Sequence, residues 1–488
     1  MSVNRPGFTI PRRSIAGMER MYAKMWDPPK ESPLTPEYIA ATNPVPEIMQ
    51  AAIPGFSVSQ RHTVQRDLLH GMAMPTWDGL KNLIFYTFRD ADNPFDNGSY
   101  PAGTIRCPRG VIYHCQTQGH GPPPHTIHWH GIEPTPMNDG VGHCSMEIGD
   151  YLYQWQPNFI GTYFYHCHRN TVQHFEFGLF GLLLIEPPDA FFASIGSVNP
   201  DGTVNLNSIP IGACSDGKRR TAANLDHPEI ANWLSSKGLT QASFGFVPGD
   251  PVHGVGTIVN GQLVKGGDHD FTVAYDVEAL WVLDDRDSVW SDKAPDARAF
   301  YPAIGKQPGV DDKFFHGFFH DYNADYWFVT GVPVLGHRGD GSSTPVDIQD
   351  PRLAFGTADG SIPAALNSGV TGSQVAINAK VGDTILVRCL DAAYNCISVT
   401  FPVDVIIIAW DGRALGVPPF GKYNHAYVVP AGTPIHTSTA RRYDALIKAT
   451  GPINDYAKVQ FIDTHGQNIP GRPEPVLITT RIPFKISA

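Results

Sequence analysis

The sequence predicts an all-β fold, and three observations carry that prediction. The 488 residues include 48 glycines and 43 prolines, which break the chain at turn-like intervals. Between them lie short runs that are β-branched and aromatic, or that alternate apolar and polar residues, the period-2 signature of strands. Hydrophobic residues make up 42% of the chain and charged ones only 17%, enough apolar mass at this length for more than one core. The length leads to an expectation of two to three domains, and short strands at this spacing pack as β-sandwiches.

In chain order, residues 1–80 read as a Pro-rich N-terminal arm with a helix near Arg13–Met25. A first sandwich is expected over 81–188, with strands at Leu83–Phe88, Thr104–Cys115, Thr126–Ile132, Tyr151–Gln156, Gly161–His166 and Gly181–Glu186. Glu186-Pro187-Pro188 closes it, because proline cannot continue a strand ladder. Residues 189–270, rich in Gly, Asn and Ser, read as a connection or insertion with a helix at Pro228–Ser236. A second sandwich is expected over 271–488, with strand patterns at Phe271–Leu283, Asp325–Thr330, Val375–Leu390, Ile397–Ala409 and Tyr443–Ala449.

The formal charge of −11 and the lack of a basic cluster exclude a nucleic-acid partner, since nothing would neutralise phosphates. No apolar run reaches the length of a membrane-spanning helix, so no membrane partner is expected. Arg12-Arg13 is followed by amphipathic sequence rather than an apolar leader core, which points to the cytoplasm; the periplasm is the alternative if a leader has been removed.

Function is concentrated in two short stretches, His125-Thr126-Ile127-His128-Trp129-His130-Gly131 and His166-Cys167-His168 running on to His174. Together they place six histidines and a cysteine within 50 residues. In a strand, residues i and i+2 share a face. His128 and His130 therefore point one way together, as do His166 and His168, and Cys167 points the other way. Two such strands side by side gather four imidazoles on one face, enough for more than one metal ion. On the opposite face, Cys167 would meet His125 and His174 in a trigonal set of two imidazoles and a thiolate, the arrangement of a blue-copper electron-transfer site. Leu179 falls where an axial ligand would lie and offers no donor atom, which leaves such a copper three-coordinate and raises its reduction potential.

His125-x-x-His128-x-His130-Gly131 resembles the first copper motif of the multicopper oxidases, the laccase family. His166-Cys167-His168 with His174, Glu176, Gly178 and Leu179 resembles the family's His-Cys-His motif, although Cys167 to His174 is two residues longer than the usual laccase spacing. The resemblance implies type 1 copper at His125, Cys167 and His174 with Leu179 axial, a type 2 ligand in His128, and type 3 ligands in His130, His166 and His168. It implies two cupredoxin-like Greek-key sandwiches, of which 81–188 binds copper and 271–488 does not. Tyr322–Gly331, Val381–Thr384, Trp410–Gly412 and Ala440–Asp444 resemble the family's copper-free domain more weakly. Asn138-Asp139-Gly140 resembles the turn that follows the family's first copper motif, which makes Asp139 either a proton relay or a plain turn residue. The implied activity takes single electrons from a small reducing substrate and passes them through His-Cys-His to a cluster that reduces dioxygen to water.

The departure from the family lies in the number of histidine pairs. The cluster needs about eight histidines from two domains, and this chain has no second His-x-His: His227, His253, His269, His316, His320, His337, His425, His436 and His465 are scattered. A homo-oligomer completing the cluster is therefore expected, as a dimer or a trimer. A nitrite-reductase-like two-domain enzyme and a non-catalytic blue-copper carrier are the alternatives. Met137, Met146, Glu147 and Glu176 near the motifs read as packing and solvated surface. Beyond Cys167, six cysteines remain, among which Cys389/Cys396 or Cys107/Cys144 could pair, with free thiols the default in a reducing compartment.

Overall fold

The computed structural model describes residues 62–90, 100–108, 113–119, 125–132, 138–141, 150–155, 157, 159–168, 171–186, 219–244, 257–259, 262–264, 271–293, 322–339, 375–417, 424–463 and 476–488. The helix expected at Arg13–Met25 lies outside them. The all-β architecture is present, built from two sandwiches.

The first contains β1 (His62–Pro75), β2 (Asn82–Asp90), β3 (Ala102–Pro108), β4 (Tyr113–Gly119), β5 (His128–His130), β6 (Asp150–Trp155), β7 (Gly161–His166), the short helix α1 (Thr171–Glu176) and β8 (Phe180–Glu186). One sheet runs β2-β1-β4-β6 and the other β3-β8-β7-β5. The sheet thus reaches upstream of the boundary expected at 81. A register shift between Leu69 and Met72 breaks the period-2 pattern of β1, so the sequence does not read as a strand there. The single strand expected at Thr104–Cys115 is two strands in different sheets, divided after Pro108, which has no N–H for the ladder.

The second sandwich begins earlier than expected. β9 (Arg219–Ala222) and α2 (Pro228–Ser236) precede the hairpin of β10 (Thr257–Val259) and β11 (Gln262–Val264), and β12 (Thr272–Tyr275) pairs back onto β9. Ala223, Leu225, Ile230, Leu234 and Phe244 pack into the second core, so residues 219–244 belong to that domain's body rather than to a free link. The chain continues through β13 (Val277–Arg286), α3 (Ser288–Lys293), β14 (Tyr326–Val329), β15 (Val332–Pro333), β16 (Ile377–Lys380), β17 (Thr384–Asp391), β18 (Cys396–Thr400) and β19 (Val405–Trp410). It ends through β20 (Arg413–Ala414), β21 (Tyr427–Val429), β22 (Pro434–Thr437), β23 (Arg442–Lys448), β24 (Ile453–Ile462) and β25 (Val476–Ser487). One sheet follows β15-β14-β13-β17-β23-β19-β20 and faces a second of order β16-β25-β24-β18-β22. Three expected strands are each split, by Asp276, by the Gly382 turn (φ +99°) and by Pro402. Cys389 and Cys396 are not joined: they lie on strands of the two different sheets, with Cys389 in the core.

What positions the site is the sheet β3-β8-β7-β5, which is buried on both faces. Tyr163, Tyr165, Cys167, Leu183 and Ile185 pack inside the first sandwich with Trp129, Tyr153 and Trp155. Their alternates Phe164, Leu182 and Leu184 pack instead against Leu280, Val282, Phe328 and Leu390 of the second domain. Burial of both faces explains why β7 and β8 read as continuous apolar runs rather than alternating ones.

Candidate metal centre

β5 and β7 are antiparallel neighbours, with His128 opposite His166 and His130 opposite Phe164. The strand period then sorts the side chains. Trp129 and Cys167 go into the interior of the first sandwich, while His128, His130 and His166 emerge on the opposite side, where His128 and His130 meet Asp411 and Arg413 across a cavity and His166 stays buried beside them.

On the interior side, Cys167 Sγ lies 3.2 Å from His174 Nδ1 and 3.7 Å from His125 Nδ1. The two imidazoles stack at 4.5 Å, and all three residues are buried. A thiol has one proton to give, so it cannot serve both ring nitrogens; a metal ion satisfies all three donors at once. His174 reaches this position from α1, a turn of helix that takes up the longer spacing from Cys167. Leu179 sits in the same core, with its N–H donating to His174 O and its carbonyl accepting from Cys167 N.

On the other side, donor atoms of His128, His130 and His166 lie within 4.8 Å of one another. His128 Nδ1 is 2.6 Å from the carbonyl of Asp139, and His166 Nδ1 is 2.9 Å from the carbonyl of Cys167. A carbonyl only accepts, so both Nδ1 atoms carry the ring proton and both Nε2 atoms present a lone pair, the tautomer a metal takes. His130 Nδ1 lies 3.3 Å from His166 Nε2. His168 joins the group through its ring, 5.0 Å from that of His128, but lies outside the 4.8 Å set. Its backbone N–H donates to Thr126 Oγ1.

Burial favours the neutral form of His130, His166 and His168. His130 is pushed down to about 3, first by desolvation and then by the Arg442 charge and its neighbouring imidazoles. His166 is driven well down by the same burial, and His168 is lowered too. Neutral imidazole is the ligand form, and no proton competes near neutral pH.

Residues 91–190 match the family model for a multicopper oxidase. This segment is a multicopper oxidase domain. Among similar curated proteins, an L-ascorbate oxidase of Nicotiana tabacum is 37% identical over 98 residues, 18% of this chain and 16% of that protein. A laccase of Aspergillus fumigatus is 35% identical over 99 residues, 19% of this chain and 16% of that one. The matches thus span about a sixth of those relatives' length. The solved blue copper oxidase of Nitrosomonas europaea aligns with 87% of this chain and 86% of its own at 17% identity and a TM-score of 0.44. Copper is the metal this family uses. The donor sets fit it: imidazole with thiolate in one, imidazole alone in the other.

Around the two donor sets, Asp139 stands where the resemblance of its turn expected it, while Glu176 does not. Asp139 meets His128 twice, by its carbonyl and by its carboxylate Oδ1 at 3.2 Å from Nδ1. Glu176 is not solvated surface. It is buried, accepting from Arg286 Nε at 3.3 Å, Asp287 N at 2.9 Å and Tyr322 O–H at 3.0 Å. It ties α1, and with it His174, to the second domain, and burial pushes its carboxyl up to about 8 against the pull of Arg286. Met137, Met146 and Glu147 lie outside the described residues. The open cavity beside the imidazole group is lined on its far side by Asp411, Arg413, Thr439, Arg441 and Arg442. Among the described residues the second domain offers it arginines, not histidines. His227 and His425, read as scattered, instead come together far along the chain.

Proposed function

We propose that this chain is an oxidoreductase that takes single electrons from a small reducing substrate and delivers them to dioxygen, forming water. Copper held by His125, Cys167 and His174 would exchange electrons with the substrate, and copper held by His128, His130, His166 and His168 would pass them to dioxygen. The observation that carries this reading is the alternation at 166–168. One residue separates two donor sets on opposite faces of one sheet, so the backbone of Cys167 is bonded directly to the histidines of the other set.

The residues of the chain prepare both sets. The carbonyls of Asp139 and Cys167 fix the tautomers of His128 and His166, and burial keeps the His130 and His166 rings neutral. Tyr86 packs its ring edge-on to His174 at 5.8 Å and helps exclude water from the thiolate set. The carboxylate of Asp139, half exposed beside His128, is placed to hand protons toward the imidazole group. No described histidine of the second domain faces that group, and a second copy of the chain is proposed to supply the remaining ligands.

Two substitutions test the reading. His130→Ala should stop oxygen consumption while the intense visible band of the thiolate set remains; oxygen uptake that survives would sink the cluster assignment. Asp139→Asn keeps the carbonyl contact to His128 and should slow turnover on the order of a hundredfold. A second reading, reduction of a small oxyanion such as nitrite, is favoured by the cationic far wall of Arg413, Arg441 and Arg442. Nitrite consumption without oxygen uptake would select it.

A further inference from the structure

Away from both donor sets, we propose a separate metal site in the second domain, formed by His227, Glu229 and His425, that takes a divalent ion of the zinc or copper(II) type. One ligand atom from each of the three lies within 4.8 Å of the others. They come from two places some 200 positions apart in sequence: His227 and Glu229 open α2, and His425 precedes β21. The two imidazole rings lie face to face, with centroids 3.4 Å apart and planes 4° from parallel. Ring quadrupoles disfavour that sandwich and prefer offset or edge-on contacts, so packing of the rings against each other does not account for it. A shared ion does.

The hydrogen bonds define what each ring offers. His425 donates from Nδ1 to the carbonyl of Ala426 at 2.8 Å, which leaves the Nε2 lone pair for an ion. His227 is the N-cap of α2: its Nδ1 accepts from the Glu229 N–H at 3.3 Å. An ion takes that lone pair in place of the amide hydrogen, or takes Nε2 after the ring proton moves to Nδ1. In either case only a long, exposed capping bond is given up. Glu229 supplies a carboxylate, one oxygen of which already lies 3.4 Å from Val428 N. Two imidazoles, a carboxylate and water in the open positions suit zinc or copper(II) rather than calcium or magnesium. Such an ion would fasten α2 to the β21 edge, where Lys237 Nζ and Trp233 Nε1 already hold Asp404 at 2.9 and 3.0 Å. The inference is independent of the oxidase reading, because none of these residues belongs to the sets around Cys167.

The test is zinc binding by the copper-loaded protein, with bound copper and zinc counted together per chain after equilibrium dialysis, and the melting temperature read alongside. His227→Asn is the informative variant, since Asn caps a helix at least as well as His but removes the imidazole. Wild type should hold one more ion per chain than His227→Asn, His425→Ala and Glu229→Gln, and zinc should raise its melting temperature. In each variant affinity at that equivalent should fall about tenfold or more, with the thermal response to zinc gone. Equal metal counts in wild type and all three variants would overturn the site. So would an undiminished thermal response to zinc in His227→Asn, which retains its cap and hence its fold.

Discussion

Gly140 shows how tightly single residues hold the imidazole group. Its φ is +69°, and a Cβ there would stand 1.9 Å from the carbonyl oxygen of Ile127 and 2.7 Å from His128 N. Gly140→Ala should therefore cost about 3 kcal/mol or more, from left-handed strain and a clash with backbone that cannot yield. Because the clash falls on the segment entering β5, metal affinity should drop with stability; denaturant unfolding and metal titration of the variant check both. The candidate ligands were legible because their spacing matches the strand period. His128, His130, His166 and Cys167 needed only that rule to be sorted onto the right faces. The contact of Asp139 with His128 was reachable only through the resemblance of its turn. His227 and His425 could not be found at all, since nothing local links residues so far apart. Glu176 was misread for the opposite reason: its neighbours suggested surface, while its partners Arg286 and Tyr322 come from the other domain.

At the scale of elements, α1 and β7 carry the account. α1 holds His174 at one end of a six-residue turn and is anchored by Glu176, whose side chain and that of Arg286 are both fully buried. Glu176→Ala leaves the buried donors Arg286 Nε, Asp287 N and Tyr322 O–H without their acceptor and should cost about 1–3 kcal/mol for each donor left unsatisfied. Chemical denaturation measures that loss, and a cost within a few tenths of wild type would contradict the anchoring role. Strands with uniform burial or clean punctuation, such as Gly161–His166, were legible to the residue, as was the helix at Pro228–Ser236 with its proline at the first turn. Strands were misjudged where one apolar run crosses a turn, as at Pro108 or Gly382. β1 was hidden by its bulge. β24 and β25 went unread although they form a long antiparallel pair: β24 opens on three consecutive exposed residues, Asn454, Asp455 and Tyr456, and β25 mixes Arg481 and Pro483 into its run.

At the scale of the molecule, the two sandwiches are joined by an apolar layer and by a buried charge cluster. Arg106 of the first domain contacts Glu186 at 2.6 Å and also Glu278 of the second, and Arg388 bonds Glu278 at 2.7 Å. Glu278, bracketed by two guanidinium groups, is held down to about 2, whereas Glu186, deeper and beside Glu278's charge, is pushed up. A depressed carboxyl contributes stability that is complete above the unfolded value near 4.5 and is lost as pH falls toward 2. That contribution is on the order of 3 kcal/mol. Acid titration of stability should show this loss, and Glu278→Gln should remove that part of the pH dependence while lowering stability at neutral pH. The all-β class was legible from the strand spacing. Which face of the first sandwich meets the second was not, because that contact is written in the alternates of strands apolar on both sides.

The most direct test of the central claim, that one strand separates two copper sets, is the visible and EPR spectrum of Cys167→Ser beside wild type, with copper counted per chain at known oligomeric state. Wild type should show an intense visible band that vanishes in the variant, while copper bound by the imidazole group remains and the fold is unchanged. An intense band retained in Cys167→Ser, or loss of all copper together with it, would contradict the claim.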